Sequence, residues 1–529
     1  MCEQYAPFVD AVLPHLLNRL QEPADIEYSE GREADLVATR RGQQMESDDG
    51  LESMTLALPG KGLTKVTISI TKMQEKAQAA RAVYEHADAL GAAFGPYAQT
   101  TLRILTPLIG FQFSADVRST VAQACGAVFN ATCLYGQATG NMTLAQESLP
   151  ALSQAICKQM FLEDTSDMEV VFALAESLSD ILYFAYCQLS PVGCTIIAKF
   201  TVENGRESTT LLMQMMAACL ERRSKLFRTL KGMEGVLSGE DEQRELTEAL
   251  EKEQEVLTPL VDSVGYILKF LRERFVPTFD ELVVPLLGAF LKGGSGPDTR
   301  ARFAAVCLFD DVVEHCGSVA AHKYSALLAE GILAGIDDNK NGGDDDVKQV
   351  SLYGISQLAR YGSTIFLESH AQRLIQTLLE IASTSKDGAE NLVLIENSVS
   401  ALAALLLFDR APFRKMKDVD CDSVLSVVLS QLPLRQDEDE AKICHSSFCS
   451  MVKQGHVSII IHTEDVLRII GSTLEYVNDG EEIATPETQE GFAEILFQMQ
   501  REVPTGRMQQ AYRILSSKAQ HAVNVVLGP

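Results

Sequence analysis

The sequence predicts an all-α protein assembled as a repeat solenoid, and three observations carry that prediction. Almost every stretch longer than a dozen residues places apolar side chains at i, i+3, i+4 and i+7, the stripe of one helix face, while the alternating pattern of a strand is nearly absent. A chain of 529 residues exceeds what one hydrophobic core organises, leaving either several compact helical domains or an elongated array. Similar helix openings and endings then recur, which favours the array. Asp116-Val117-Arg118, Asp298-Thr299-Arg300 and Asp346-Val347-Lys348 each open a helix rich in Ala, Val, Leu and Gly, and these helices close near Gly136, Gly317 and Gly362. An aspartate suits the positive end of a helix, and a glycine supplies a left-handed terminating residue.

Taken in order, the periodicity predicts a first helix over 5–20. Residues 22–71 break the pattern: a polar acidic tract, SEGREADLVATRRGQQMESDDG, precedes LTKVTISIT, the one convincing strand-like alternation. An acidic, partly mobile insertion holding a small hairpin is expected there. Helices follow at 72–93, 97–111, 115–134, 143–161, 166–187 and 207–231. A long one over 241–274 has apolar residues at 246, 250, 257, 260, 264, 267 and 271, which fits a coiled-coil seam or a long solenoid helix. The rest are 278–292, 298–316, 319–334, 345–361, 367–384, 388–408, 421–431, 437–454, 464–477, 486–502 and 507–526. Openings near 298, 346, 390, 437 and 486 recur at roughly 45 to 50 residues, the period of HEAT-type helix pairs, in which neither helix buries its stripe alone. PLIG at 107 and PLLG at 285 add a recurring proline. The expected layout is 1–21, the helix of an incomplete first repeat; 22–71, the insertion; and HEAT repeats over 72–292 and 293–529, the last forming the carboxy-terminal cap.

Composition narrows the function. Lys and Arg total 45 against 72 Asp and Glu, a formal charge of −27, which repels nucleic-acid phosphates and anionic lipid while attracting basic polypeptides. Direct nucleic-acid or membrane binding is not expected. The best uninterrupted apolar run, SALAALLLF at 400–408, is half the roughly 18 residues that a membrane span needs. The amino terminus lacks the basic region of a secretory signal, and the twelve cysteines form no CxxC pair, which suits buried thiols in a reducing cytosolic or nuclear setting.

Two clusters invite a chemical reading. CLFDDVVEHC, residues 307–316, gathers two cysteines, a histidine and three carboxylates. On a helix turning about 100° per residue, Leu308, Phe309, Val312, Val313 and Cys316 form one apolar sector. Cys307, Asp310, Asp311 and Glu314 fall on the opposite side, with His315 at the edge. The thiols point apart, so they cannot ligate one ion. In CHSSFC at 444–449 the thiols diverge likewise, with no second pair nearby. GxxxxGK[ST], HExxH, GxSxG and GxGxxG are all absent, so no cofactor, metal or catalytic residue is expected and the chain is read as a non-enzyme. What remains is carboxylate: Glu46, Asp48 and Asp49 in the insertion, Glu240 to Glu255, Asp337 to Asp346, and Asp437 to Glu440. Half or more serve solubility and helix starts. A single exposed ion pair yields about 0.2 to 1 kcal/mol, whereas micromolar affinity needs about 8, so a docking site for Lys/Arg-rich segments needs several carboxylates in a partly desolvated groove. The second helices of a solenoid line such a groove, which makes Asp310, Asp311 and Glu314 the candidate protein-binding residues.

The same decapeptide resembles a segment of the importin-beta superfamily, and within it the karyopherin beta-3 (importin 5) type of nuclear import receptor. SDDG at 47–50 followed by KMQEKAQAARAVYEHA, then CLFDDVVEHC, YGISQLARYG at 353–362, IENSVSA at 395–401 and LPL-RQDEDEA at 432–441 stand in that family's order and approximate spacing. The resemblance implies a HEAT superhelix, monomeric, that shuttles between cytoplasm and nucleus with basic import cargo, contacts nucleoporin phenylalanine-glycine repeats and is unloaded by Ran-GTP. It also implies the carboxy-terminal half of such a receptor, so that the main Ran contact lies in amino-terminal repeats without a counterpart here. The family carries tryptophans where this chain has Leu51 and Gln431, and the chain has none. The competing readings are a HEAT scaffold for a phosphatase or cytoskeletal complex, and an unrecognised metallohydrolase that bound zinc or iron would reveal.

Overall fold

The computed structural model describes residues 2–23, 27–30, 51–58, 62–163, 167–187, 197–233, 240–292, 299–338, 345–362, 364–384, 392–408 and 420–528, which divide into two compact units, Met1–Leu286 and Leu287–Pro529. The acids Glu46, Asp48 and Asp49 lie outside the described residues, as do residues 339–344.

In the first unit, α1 (Cys2–Gln21), α2 (Ile70–Leu90), α4 (Ala115–Thr139), α6 (Met168–Cys187) and α8 (Glu240–Leu271) pack one against the next as a layer. A second layer, α3 (Gly95–Leu108), α5 (Thr143–Leu162) and α7 (Val202–Met233), lies against it, each helix on its following partner. The period of about 3.6 makes this possible: Val121, Cys125, Val128 and Phe129 of α4, and Leu174, Leu178, Ile181 and Leu182 of α6, are wholly buried where the stripes meet. α6 is the one described helix long and apolar enough to cross a membrane, and over half of it is buried in this stack. α8 packs on α6 and α7 through Val256, Leu260, Val264, Ile267 and Leu271, so its apolar seam is a solenoid contact. Residues 272–287 replace the helix expected at 278–292 with a short mixed segment, a 3-10 turn and a π-helical turn at Phe279–Val283 among α-helical turns.

The insertion contributes strands β1 (Glu27–Glu30), β2 (Leu51–Leu58) and β3 (Gly62–Ser69), an antiparallel sheet in the order β1-β3-β2. The hairpin expected around LTKVTISIT is therefore two strands of a three-stranded sheet. Leu51 pairs with Ser69 and Glu30 with Thr64, so β3 is the central strand. The sheet ends where Ser69 caps α2 by accepting the Lys72 N–H.

The second unit repeats the two-layer plan. α9 (Thr299–His315), α11 (Asp345–Tyr361), α13 (Leu392–Phe408), α15 (Glu438–Lys453) and α17 (Pro486–Glu502) follow one another in one layer, starting within a few residues of the five openings read from the sequence. α10 (Gly317–Asp338), α12 (Thr364–Ala382), α14 (Cys421–Gln431) and α16 (Thr463–Asn478) form the other, closed by α18 (Thr505–Ile514) and α19 (Ser517–Leu527) on α16. α13 explains why its sequence is apolar nearly all round: α11, α12, α14 and α15 surround it, and residues 394–406 are all buried.

The capping pattern is only partly as expected. Ser114, not Asp116, caps α4 by accepting from the Val117 N–H, and α4 runs past Gly136 to end at Gly140 with φ 71°. Gly136 is instead a close approach, where an added Cβ would stand 2.5 Å from Met142 Sδ. Gly317, with φ 81°, does terminate α9 as a left-handed residue. Gly362 follows α11 without a positive φ, its N–H bonded to the Leu358 carbonyl.

Candidate protein-docking site

α9 carries the acidic decapeptide between α10 and α11. Leu308, Phe309, Val312, Val313 and Cys316 are buried, as their spacing predicts. Asp310 departs from the prediction. It is only 2% exposed, inside the packing rather than on an open side with Cys307, Asp311 and Glu314, which are half-buried. The reason is that α9 is covered on two faces, and α11 presents Gly354 to the carboxylate. A Cβ on Gly354 would stand 2.6 Å from Asp310 Oδ1, so the missing side chain makes the room. Neither Asp310 oxygen has a hydrogen-bond partner. Burial, and then repulsion from Asp311 and Glu314, holds its carboxyl well above the usual carboxylate range.

Glu314 lies one turn further along the same face and accepts a 2.7 Å hydrogen bond from the Tyr353 hydroxyl. Burial, and then the neighbouring Glu314, pushes the Tyr353 phenol well up. His315 Nε2 stands 3.9 Å from Asp311 Oδ1 and 3.8 Å from Glu314 Oε2. Tyr361, 45% exposed, closes the edge, its phenol raised by burial and then by Glu314. Asp311 and Glu314 thus reach solvent and can meet a cation, while Asp310 lies beneath them.

From this cluster a polar line runs across the layer. Arg360 of α11 donates through Nη2 to Ser400 Oγ of α13 at 3.3 Å and to Glu440 Oε1 of α15 at 3.4 Å, and Ser400 itself donates to Glu440. Burial raises the Glu440 carboxyl and Arg360 opposes the rise. Glu396 of α13 accepts the backbone N–H groups of Arg435 and Gln436 at 2.8 to 3.0 Å. His445, the histidine of CHSSFC, accepts the Leu434 N–H at Nε2, which leaves Nδ1 to donate to the Ile483 carbonyl at 2.7 Å. It is a buried strut, and Cys444 and Cys449 beside it are buried free thiols. Among the described residues no group of three or more His, Cys, Asp or Glu could hold a metal ion.

A second acidic surface escaped the sequence reading. In the first unit a cavity of about 300 Å³ opens between Asp88 of α2, Gln123 and Asn130 of α4, and Glu176 and Asp180 of α6, with Tyr84 and Phe184 as walls. Burial, and then Glu176, raises the Asp180 carboxyl. No local motif marks these residues, because only the stacking of three separate helices brings them together.

No protein-family model matches the chain. Among solved structures, Kap121p bound to Nup53p is similar over 99% of this chain with a TM-score of 0.67 and 14% identity, covering 42% of that chain. Kap121p bound to Pho4p gives 0.65, 14%, 99% and 42% in the same order. The karyopherin Kap121p bound to the SUMO protease Ulp1p gives 0.64 and 15%, over 96% of this chain and 42% of that one. The fold is that of the karyopherin HEAT-repeat solenoids. Essentially the whole chain follows it, while spanning 42% of the length of the Kap121p chains it matches.

Proposed function

We propose that this chain is part of a nuclear transport receptor of the importin-beta superfamily, of the karyopherin beta-3 type, that docks Lys/Arg-rich cargo on carboxylates of its helical layers. The observation that carries the reading is a karyopherin fold over 99% of the chain. The sequence segments quoted above and the charge of −27 support it from independent directions. Kap121p is known in complexes with Pho4p, Nup53p and Ulp1p, which makes protein cargo and nucleoporin segments the partner classes to test. For this chain the candidate docking residues are Asp311 and Glu314 at the surface, with Asp310 beneath them, and the cavity around Asp88, Glu176 and Asp180. Release by Ran-GTP, shuttling between cytoplasm and nucleus and a monomeric state belong to the same proposal, for the full-length receptor.

The test is a pull-down with the 529-residue chain as bait, using basic import cargo and phenylalanine-glycine repeats at low and raised salt. Cargo recovered at low salt and lost as the Debye length shrinks from about 10 Å towards 3 Å supports the reading. Recovery of neither ligand class, with crosslinked phosphatase subunits or tubulin instead, overturns it in favour of a scaffold.

A further inference from the structure

The cavity of about 300 Å³ between α2, α4 and α6 is acidic without an internal counter-charge. Its lining holds three carboxylates, Asp88, Glu176 and Asp180, and no Lys, Arg or His. Elsewhere in the first unit helices answer such groups: Arg118 pairs with Glu163, Lys199 with Glu147, Arg206 with Glu281 and Arg222 with Glu253. No ion pair reaches Asp88, Glu176 or Asp180 among the described residues. Glu176 and Asp180 also stand four residues apart on one face of α6, a like-charge spacing that costs the helix a little stability. Helix stability therefore does not account for the arrangement.

The neighbouring groove shows a similar construction with its cation in place. Between α6 and α8, Lys269 Nζ lies 5.6 Å from the Tyr186 ring centroid and 5.5 Å from that of Tyr266. Tyr183 links the two grooves, its ring 5.9 Å from Tyr266 and 5.9 Å from Phe184. Phe184 is one aromatic wall of the cavity, and Tyr84 of α2 is another. One groove holds a cation against rings, while the next offers rings and carboxylates and supplies no cation of its own.

Size and acceptor placement select the occupant. About 300 Å³ lies at the small end of ligand cavities, room for one long side chain over the small floor residues Ala127 and Ser177 rather than for a helix. The carboxylates come from the two outer helices and the side-chain amides of Gln123 and Asn130 from the middle one, so acceptors approach from three helices. An ammonium has three donors on a strongly hydrated point charge. A guanidinium has five in one plane, sheds water more readily and stacks on aromatic faces. Resting on the docking reading above, we propose that this cavity receives one arginine side chain of the partner, held against Tyr84 and Phe184 and paired with Asp88, Glu176 and Asp180.

The chain contains no tryptophan, so Y84W, at a position 40% exposed, places a single reporter on the cavity wall. The full chain carrying Y84W is titrated with synthetic Arg-Gly and Lys-Gly repeat peptides of equal length at one low ionic strength. We expect the Arg-Gly peptide to shift the emission saturably and to bind several-fold tighter than the Lys-Gly peptide. Adding E176Q and D180N, both on exposed residues and checked for an unchanged far-UV spectrum, weakens Arg-Gly binding by about tenfold or more. N130A narrows the preference for arginine, and E314Q, in the second unit, leaves the emission change intact. Equal affinity for the two peptides, binding without an emission change, or binding indifferent to E176Q and D180N overturns the arginine seat and leaves basic docking standing. No binding of either peptide overturns both.

Discussion

Replacing Arg360 by Met removes the cation of a pair whose side chains are 5% and 1% exposed. Glu440 then retains only the Ser400 hydroxyl, in a site where burial already disfavours its charge. Taking one partner from a buried pair costs about 3 to 5 kcal/mol, whereas replacing both with apolar groups of similar volume is often nearly neutral. R360M therefore loses about 3 kcal/mol or more of local stability at neutral pH, and R360M combined with E440L regains most of it. The cost also depends on pH in a defined direction. With Arg360 gone the folded-state value of Glu440 rises further, so the deficit is smallest in acid, where the unfolded carboxyl also holds its proton. It grows as pH climbs through the folded value. Native-state hydrogen exchange of amides in α11, α13 and α15 reads the local opening free energy without requiring the whole array to melt as one unit. A loss under about 1 kcal/mol, or a double variant as costly as the summed singles, refutes the argument that this bridge is a coupled buried unit.

Further expectations follow from other sites. G354A places a methyl 2.6 Å from Asp310 Oδ1 and 2.8 Å from Ile332 Cδ1, and overpacking of about 1 to 3 kcal/mol should appear as a lowered thermal midpoint. D310N removes a group whose folded value is raised, so its stabilising effect should be absent in strong acid and grow above about pH 4, by at most about 1.4 kcal/mol per unit, in urea titrations at several pH values. Y353F strips the phenolic donor from Glu314 and should cost about 1.5 to 3 kcal/mol by hydrogen exchange in α9 and α11. Among the described thiols, native labelling read by peptide mass should modify exposed Cys187 first, while Cys133, Cys157 and Cys444, buried and pushed up to about 12, react only on unfolding.

The layers were legible because α9, α11, α13, α15 and α17 each begin close to a polar opening followed by a 3.6-period stripe, a signal that lies within single helices. The apolar sector of α9 was legible for the same reason. Asp310 was misplaced because periodicity ranks residues by polarity around one helix and says nothing of a neighbour's shape. The vacancy at Gly354 lies on another helix, and only the packing shows that it admits a carboxylate. The end of α4 was misread at Gly136 because a glycine accommodating Met142 looks, in one dimension, like a glycine ending a helix. The cavity around Asp88 and Asp180 was not legible, since its members come from three helices and no spacing within one of them says that the three meet.

The cross-links of the second unit share a further property. Tyr353 reaches Glu314, Arg360 reaches Ser400, Ser400 reaches Glu440 and Arg435 reaches Glu481, each joining residues about one period apart along the chain. None of these four links fastens distant ends of the unit. Under tension from its termini such a stack should yield piecemeal, one rung letting go while the next still holds, and should recoil the same way when the load is removed. The second unit is built as a spring whose compliance can be tuned rung by rung.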